Sequence, residues 1–440
     1  MIKLQLLICK IAGKILNLLG RGSNFPGVLA LKLNKNIGNY FKMPKIVVAV
    51  TGSAGKGSTS SMIAEILRND GKKVIHNKFG SNMLPGILSL LITNSKLDGT
   101  LIGDALVVEV DERYTKEVFK IVKPKYVVIT NICRDQPPRH GHVDLVFDKI
   151  KEAITDKMHL VLNGDDPYLQ KFVIDSKNKI TYYGINRNIH SYNVNKFRSI
   201  NMAYCPVCNS KLKYRYFQIE GIGEYTCKCG FERPEMDYVV NKINLDNKYM
   251  LINDKYEINM GFSVLYYAYN TLAAFAVCSL LKVNNDKIAK CISEMENNKK
   301  LNDTYMYKKR RVYVLNNKCE NSTTFNQSVL FAMQKRTKRT IVIGWKEISR
   351  RYEFNDMSWL YDIEFEILND EYTDKVICVG RDKYDIATRM KLAGFKHNQI
   401  MIYDNLEDAE DMIKNVSKGD IFAILNFDYV EPFNNLMKED

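Results

Sequence analysis

The chain has 440 residues, of which 46% are hydrophobic and 26% charged. These values exclude wholesale disorder and a multi-span membrane protein, and the length implies two or three soluble domains. The formal net charge of +14 favours anionic partners such as nucleotides, phosphorylated substrates, acidic lipids or nucleic acid. Ten cysteines in a chain this long are too few for a disulfide scaffold. Four of them stand in metal-like spacing that needs reduced thiolates, which points to the cytoplasm.

In chain order, Met1-Ile-Lys-Leu-Gln-Leu-Leu-Ile-Cys-Lys10 begins like a signal peptide, but Lys10 and Lys14 interrupt the apolar run and no small-residue cleavage site follows. Residues 2–19 are expected to form an amphipathic helix with Leu4, Leu7, Ile8, Ile11, Ile15 and Leu18 on one face. Packing of that face on the next domain is the plainer expectation, and peripheral contact with the inner membrane surface is the alternative. Residues 1–44 are set apart as an N-terminal helical segment.

From Lys45 the pattern becomes strand, loop, helix, strand. Ile46–Val50 is a β-branched run, a glycine-rich turn follows, and Thr59–Arg68 has helical periodicity. Buried strands are expected at Ala105–Val110, Tyr126–Thr130 and His159–Leu162, alternating with helices at Arg113–Lys120 and Leu145–Ile154. This alternation predicts an α/β domain with a mostly parallel sheet covered on both faces. Tyr238–Ile258 reads as short antiparallel strands and Tyr266–Leu281 as a helix. A polar run near 296–300 marks a boundary between a central domain, 45–298, and a smaller α/β domain, 299–440. The latter has strands at Val312–Leu315, Thr340–Ile343, Lys375–Val379 and Asp420–Leu425.

Thr51-Gly52-Ser53-Ala54-Gly55-Lys56-Gly57-Ser58-Thr59 follows a strand and opens a helix, the context a phosphate loop requires. Glycines let backbone amides turn toward phosphate oxygens, and the helix N-terminus adds positive potential. Lys56 neutralises the β- and γ-phosphates, and Ser58, with Thr59 as second choice, supplies a hydroxyl to Mg²⁺. The expected ATP contacts are Gly52, Ser53, Gly55, Lys56, Gly57, Ser58 and Thr59.

Cys205-Pro-Val-Cys208 and Cys227-Lys-Cys229 are separated by eighteen residues within an insert at 200–235. Four thiolates fill a tetrahedral Zn²⁺ site, leave no open position for chemistry, and tie loops too small to have a core. A zinc ribbon on a basic chain also raises nucleic-acid binding as a rival reading. Tyr214, Tyr216 and Phe217 are more simply packing residues of the insert.

At the phosphate loop the sequence resembles the Mur ligase superfamily, in the G-x-x-G-K-G-S spelling used by folylpolyglutamate synthases. Four further segments narrow this: His76-Asn-Lys-Phe-Gly-Ser-Asn-Met83, Val107-Val-Glu-Val-Asp-Glu112, Thr130-Asn-Ile-Cys-Arg-Asp-Gln136 and Leu162-Asn-Gly-Asp-Asp-Pro167. Their order and spacing resemble the MurT subunits of lipid II isoglutaminyl synthase. Gly20-Arg-Gly-Ser-Asn-Phe-Pro-Gly27, the cysteine insert and Asn355-Asp-Met-Ser-Trp-Leu-Tyr-Asp362 extend the match over nearly the whole chain.

The resemblance implies an ATP-dependent carbon–nitrogen ligase that phosphorylates the α-carboxylate of D-glutamate in the lipid II stem peptide. A GatD-like glutaminase partner would supply ammonia in a heterodimer. The resemblance also implies Glu109 as a metal-binding carboxylate, and Asn131 and Asn270 near the nucleotide. Asp165 and Asp166 would lie beside the same cleft, although Asn163–Pro167 also reads as a plain turn. Asp135 and Gln136 follow a strand end where ligands gather. Asp356 would complete the partner's catalytic triad, with helix capping as its other reading.

Departures cluster in the last domain. The family's N-G-R segment is replaced by Asn297-Asn-Lys-Lys-Leu301. Its K-N-P-A-G-x-N motif becomes Asn317-Lys-Cys-Glu-Asn-Ser-Thr-Thr-Phe-Asn326, retaining only Lys318 or its neighbour and Asn326. Trp345-Lys-Glu-Ile-Ser-Arg-Arg351 replaces an asparagine- and aspartate-rich loop. These changes keep open a divergent relative with another acceptor or a nucleotide-binding scaffold, and the spelling of the phosphate loop keeps open a folylpolyglutamate synthase-like ligase.

Overall fold

The computed structural model describes the chain apart from residues 19–23, 78–80, 135–141, 198–203, 262–263, 299–303, 318–320, 347–355 and 439–440, and apart from the side chains of 17–18 and 296–298. Asp135, Gln136, Lys318 and the side chains of the 297–301 stretch therefore lie outside the described residues. Two compact units result. The first holds 1–132, 143–193 and 202–299; the second holds 133–142, 194–201 and 300–440.

The first unit opens with α1 (Ile2–Leu18) and α2 (Phe25–Leu33). It continues through β1 (Ile46–Thr51), α3 (Lys56–Asn69), β2 (Val74–His76), α4 (Leu84–Thr93), β3 (Ala105–Glu109), α5 (Thr115–Val122), β4 (Tyr126–Ile129), α6 (Val143–Ala153), β5 (His159–Asn163) and β6 (Lys179–Ile185). The hairpin β7 (Lys213–Ile219) and β8 (Ile222–Thr226) forms its own two-stranded sheet. After it come β9 (Tyr238–Asn244), β10 (Tyr249–Ile252), β11 (Tyr256–Asn259), α7 (Leu265–Leu280) and α8 (Asn285–Asn298).

Nine strands make one sheet in the order β11-β10-β9-β6-β5-β4-β1-β3-β2. It is parallel from β9 to β2, and β9, β10 and β11 pair antiparallel. The reason lies in the strand sequences. Val47, Val48, Ala49 and Val50 are all buried, as a strand covered on both faces requires, so β1 shows a continuous apolar run rather than alternation. Burying each of the three valines contributes about 1.5–3 kcal/mol. α7 is alanine-rich and buried from Leu265 to Cys278 except at Asn270, which lets it lie tightly against α3.

The N-terminal segment corrects one expectation. α1 forms, but it packs through Leu6, Cys9 and Gly13, while Leu4, Leu7, Ile8, Ile11 and Ile15 stay exposed. Both rows of this helix are apolar, and the small residues of the buried row permit the closer approach. A Cβ on Gly13 would stand 2.8 Å from Cγ of Pro26 in α2, and one on Gly27 would overlap the Pro85 carbonyl at the start of α4. Lys10 Nζ donates to the Ser95 carbonyl at 2.6 Å, beyond the end of α4. Among the described residues no helix is long and apolar enough to cross a membrane.

The second unit contains β12 (Thr304–Tyr307), β13 (Arg310–Asn317), α9 (Ser322–Gln334), β14 (Arg339–Trp345), β15 (Thr373–Gly380), α10 (Lys383–Leu392), β16 (Ile400–Tyr403), β17 (Asp420–Asn426) and α11 (Phe427–Leu436). Its six strands run β12-β13-β17-β14-β15-β16, all parallel except the β12–β13 pair. The α/β reading of both halves holds.

Candidate nucleotide site and its supports

Strand order decides where the first unit can bind a ligand. From β1 the chain passes outward to β2, returns through β3 on one side of β1, and then crosses to β4 on the other. The crevice at the C-terminal ends of β1, β3 and β4 is thus the point where the winding reverses, the position at which open α/β sheets bind ligands. The phosphate loop leaves β1 there, Glu109 ends β3 there, and Asn131 follows β4 there.

The loop is held from its β4 side. The Ser53 amide donates to the Asn131 carbonyl at 2.9 Å, and the Ala54 amide to Asn131 Oδ1 at 3.0 Å. The Ala54 carbonyl in turn accepts from Thr130 Oγ1 at 2.7 Å and Asn131 Nδ2 at 3.0 Å. Asn131, expected near a nucleotide, clamps the loop backbone. Gly55 enters α3 with φ +82°, and a Cβ there would lie 2.3 Å from Asn270 Oδ1, so only glycine fits this turn against α7. The N-cap residue of α3 is Gly55, which has no side chain to cap it, and the first turn has no acidic residue, so the helix's positive end suits an anion.

Lys56 is buried and folded over this loop. Its Nζ donates to the carbonyls of Gly52 and, at 3.2 Å, Ser53, and pairs with Glu112 Oε2 at 3.0 Å. Glu109 accepts from Asn82 Nδ2 at 2.8 Å, and its Oε2 lies 3.3 Å from where a Cβ of Gly57 would be. That carboxylate therefore overhangs the first turn of α3. Asn77 fixes it by exchanging two 2.9 Å hydrogen bonds with the Glu109 backbone. Among the described residues the buried hydroxyls of Thr51 and Thr59 find no hydrogen-bond partner, while Ser58 is exposed. Unpartnered buried hydroxyls beside a lysine and a carboxylate fit the demands of a phosphate–metal ligand.

Asp165 and Asp166 have different tasks. Asp165 is fully buried and accepts from Arg233 Nε at 2.6 Å, from the Tyr269 hydroxyl at 2.7 Å and from the Ile185 amide at 2.7 Å. Burial raises its carboxyl, and the Arg233 guanidinium opposes that shift most strongly. It joins β5, β6, α7 and the end of the insert. Asp166 accepts from the Tyr168 amide at 2.9 Å and caps the turn. Burial pushes its carboxyl up to about 7 against that hydrogen bond.

The insert stands on this hub. The sulfurs of Cys205, Cys208, Cys227 and Cys229 lie within 4.8 Å of one another, with Cys205–Cys229 at 3.6 Å and Cys208–Cys227 at 3.4 Å. Zinc–sulfur bonds of about 2.3 Å in a tetrahedron require sulfurs about 3.8 Å apart, so the donor set fits zinc. Tyr214 stacks on Phe217 at 4.3 Å and Tyr225 on Phe231 at 5.4 Å, and the Tyr225 hydroxyl reaches the Gly164 carbonyl at 3.0 Å. Tyr214, Tyr216 and Phe217 thus pack the insert.

In the second unit, Asp356 Oδ1 accepts from the Ser358 amide at 2.9 Å, which is the capping geometry. Hydrogen bonds from Ser358 and the nearby Arg134 charge hold its carboxyl below the ordinary range. Arg134 pairs with Asp362 at 2.6 Å and donates to Ser358 Oγ at 2.8 Å. Trp359 anchors this turn among Phe325 and Trp345. Asn326 straps it to α9, donating to the Asp362 carbonyl at 3.1 Å and accepting from the Glu364 amide at 2.9 Å.

The Mur ligase middle domain matches residues 50–278, and the MurT ligase C-terminal domain matches 319–428. The chain is 32% identical over 392 residues to the MurT subunit of lipid II isoglutaminyl synthase from Staphylococcus aureus strain COL, covering 88% of this chain and 86% of that one. This chain belongs to the MurT family of Mur ligases. A Streptococcus pneumoniae member of the family is 27% identical over 436 residues, with 96% and 94% of the two chains covered. The fold is shared with a pseudomurein peptide ligase type C from Methanothermus fervidus, at TM-score 0.65, 23% identity and 92% and 80% coverage. MurF from Acinetobacter baumannii matches at TM-score 0.63 and 15% identity, with 93% and 80% coverage.

For a MurT-family chain, the residues that sequence reasoning left without a role are Glu112, Arg134, Asp362 and Arg233. Glu112, Arg134 and Asp362 lie inside the motif segments, the first two three residues after Glu109 and Asn131 and the last six after Asp356. Their partners are distant in sequence or on other elements, so spacing alone gave no sign of the pairing.

Proposed function

We propose that this chain is the ATP-dependent ligase subunit of an isoglutaminyl synthase, activating the α-carboxylate of D-glutamate in a lipid II stem peptide. The observation that carries this is the uncapped N-terminus of α3 at the sheet's switch point, with Lys56 and Glu109 beside it. A carboxylate is a poor electrophile. Transfer of the γ-phosphoryl from ATP converts it to an acyl phosphate, ammonia attacks the carbonyl carbon, and phosphate leaves as the amide forms. Such transfer depends on positioning and on neutralising charge at the phosphate oxygens.

In this reading Gly52, Ser53, Gly55, Lys56, Gly57 and Thr59 surround the phosphates, and Asn131 and Asn270 set the loop's shape. Ser58 and Glu109 would hold Mg²⁺, which supplies charge neutralisation at the β- and γ-phosphates. Cys205, Cys208, Cys227 and Cys229 would hold a structural Zn²⁺. Residues 45–298 then form the nucleotide domain, and 299–440 the domain through which Asp356 serves a GatD-type glutaminase in a heterodimer. A lipid-linked acceptor places the work at the cytoplasmic face of the membrane.

The test is ATP turnover by the purified chain with its copurified partner. Turnover that needs a lipid II-like acceptor together with ammonium or glutamine is expected. Turnover driven by an added amino acid instead would favour a folylpolyglutamate synthase-like ligase, and nucleotide binding without turnover would leave only a scaffold.

A further inference from the structure

The exposed row of α1 needs an occupant. Leu4, Leu7, Ile8, Ile11 and Ile15 recur at helical spacing along one line, and they are 62%, 39%, 45%, 50% and 54% exposed. Exposed Lys3 and Lys14 follow one flank of that line, with Lys10 between them. α2, seated against α1 at Gly13 and Pro26, exposes Phe25, Val28 and Leu33 beside exposed Lys32.

Charge selects among occupants. Residues 1–44 contain Lys3, Lys10, Lys14, Arg21, Lys32, Lys35 and Lys42 and no aspartate or glutamate. A second copy of this segment would set cations against cations, which disfavours self-association. An apolar protein groove accounts for the leucines and isoleucines but not for a segment with no negative charge. A bilayer with anionic headgroups accounts for both, because an interfacial helix buries its apolar line at the acyl boundary while flanking lysines meet the headgroups.

We propose that α1, assisted by α2, lies in the plane of an anionic membrane surface with Leu4, Ile8, Ile11 and Ile15 facing the lipid. This deepens the reading of a lipid-borne acceptor: the segment holds the ligase on the surface that presents its substrate. It does not span that surface, because α1 has 17 residues and no described helix is long and apolar enough to cross.

The full chain is mixed with vesicles of phosphatidylglycerol or of phosphatidylcholine and sedimented. Binding to phosphatidylglycerol about tenfold tighter than to phosphatidylcholine is expected, weakening as salt rises. A Leu4→Glu/Ile8→Glu/Ile11→Glu variant should lose about tenfold or more of that binding, while keeping its circular dichroism and its ATP turnover on a lipid-free acceptor. Lys3→Glu/Lys14→Glu should abolish the preference for phosphatidylglycerol. The proposal is overturned if the parent chain stays in the supernatant with phosphatidylglycerol, or if the triple variant binds as well as the parent. It is also overturned if light scattering finds a dimer that the triple variant disperses without any vesicle binding. Loss of amidation on every acceptor with vesicle binding intact would sink the enzymatic reading while supporting this surface.

Discussion

Lys56 Nζ stands 3.0 Å from Oε2 of Glu112, and both side chains are buried where α3 begins and the chain leaves β3. If Lys56 serves the phosphates as proposed, an incoming triphosphate and Glu112 would compete for one cation. Lys56→Ala should abolish ATP binding in calorimetry. It should also lower unfolding free energy, because Glu112 loses the buried cation it pairs with at 3.0 Å. Glu112→Gln should lower stability without ligand yet enlarge the rise in thermal midpoint that Mg·ATP produces. Tight ATP binding by Lys56→Ala would remove the loop's assignment.

Asp166 makes stability depend on pH. Its carboxyl is held at about 7 by burial, above the ordinary value of 3.8, so the folded state keeps a proton that the unfolded chain releases. That contribution is complete below about pH 4 and is lost as pH rises through about 7, by up to about 4 kcal/mol. Asp166→Asn keeps an acceptor for the Tyr168 amide and cannot ionise. Thermal midpoints from pH 5 to 8 should fall less steeply in this variant, and identical slopes would show that Asp166 does not carry the effect.

The cysteine cluster gives a metal prediction. Metal analysis should find one zinc per chain, and Cys205→Ser/Cys208→Ser should find none. Chelation should expose amides of β7 and β8 to hydrogen exchange, because the metal supplies folding energy that a small insert lacks. β1, β3 and β4 should keep their protection, since their core is built from the large sheet. Equal protection of the hairpin with and without metal would refute a structural zinc.

Asp356 separates capping from catalysis. Asparagine caps about as well as aspartate, so Asp356→Asn should change stability by less than about 0.5 kcal/mol. Removal of the carboxylate should nevertheless cut glutamine-driven amidation by about two orders of magnitude or more, if it orients a partner's histidine. Ammonium-driven amidation should survive. Amidation unchanged with both nitrogen sources would make Asp356 a cap alone.

Features confined to a short stretch were readable from the residues themselves. The phosphate loop announces itself because strand, glycines, lysine and helix are neighbours in sequence, and Cys205–Cys229 does so because two chelating pairs have a metal's spacing. Parallel strands such as β1 and β3 are visible as unbroken apolar runs. What folding alone decided are choices between partners. Periodicity marked an apolar row on α1, but which of its two apolar rows is buried depended on whether Leu4 and Ile8 or the slimmer Cys9 and Gly13 could approach Pro26. Likewise Glu109 and Glu112 are both acids near one lysine. Only the register of β3 beside β1, and the turn that follows it, placed Glu112 on Lys56 and left Glu109 over the first turn of α3.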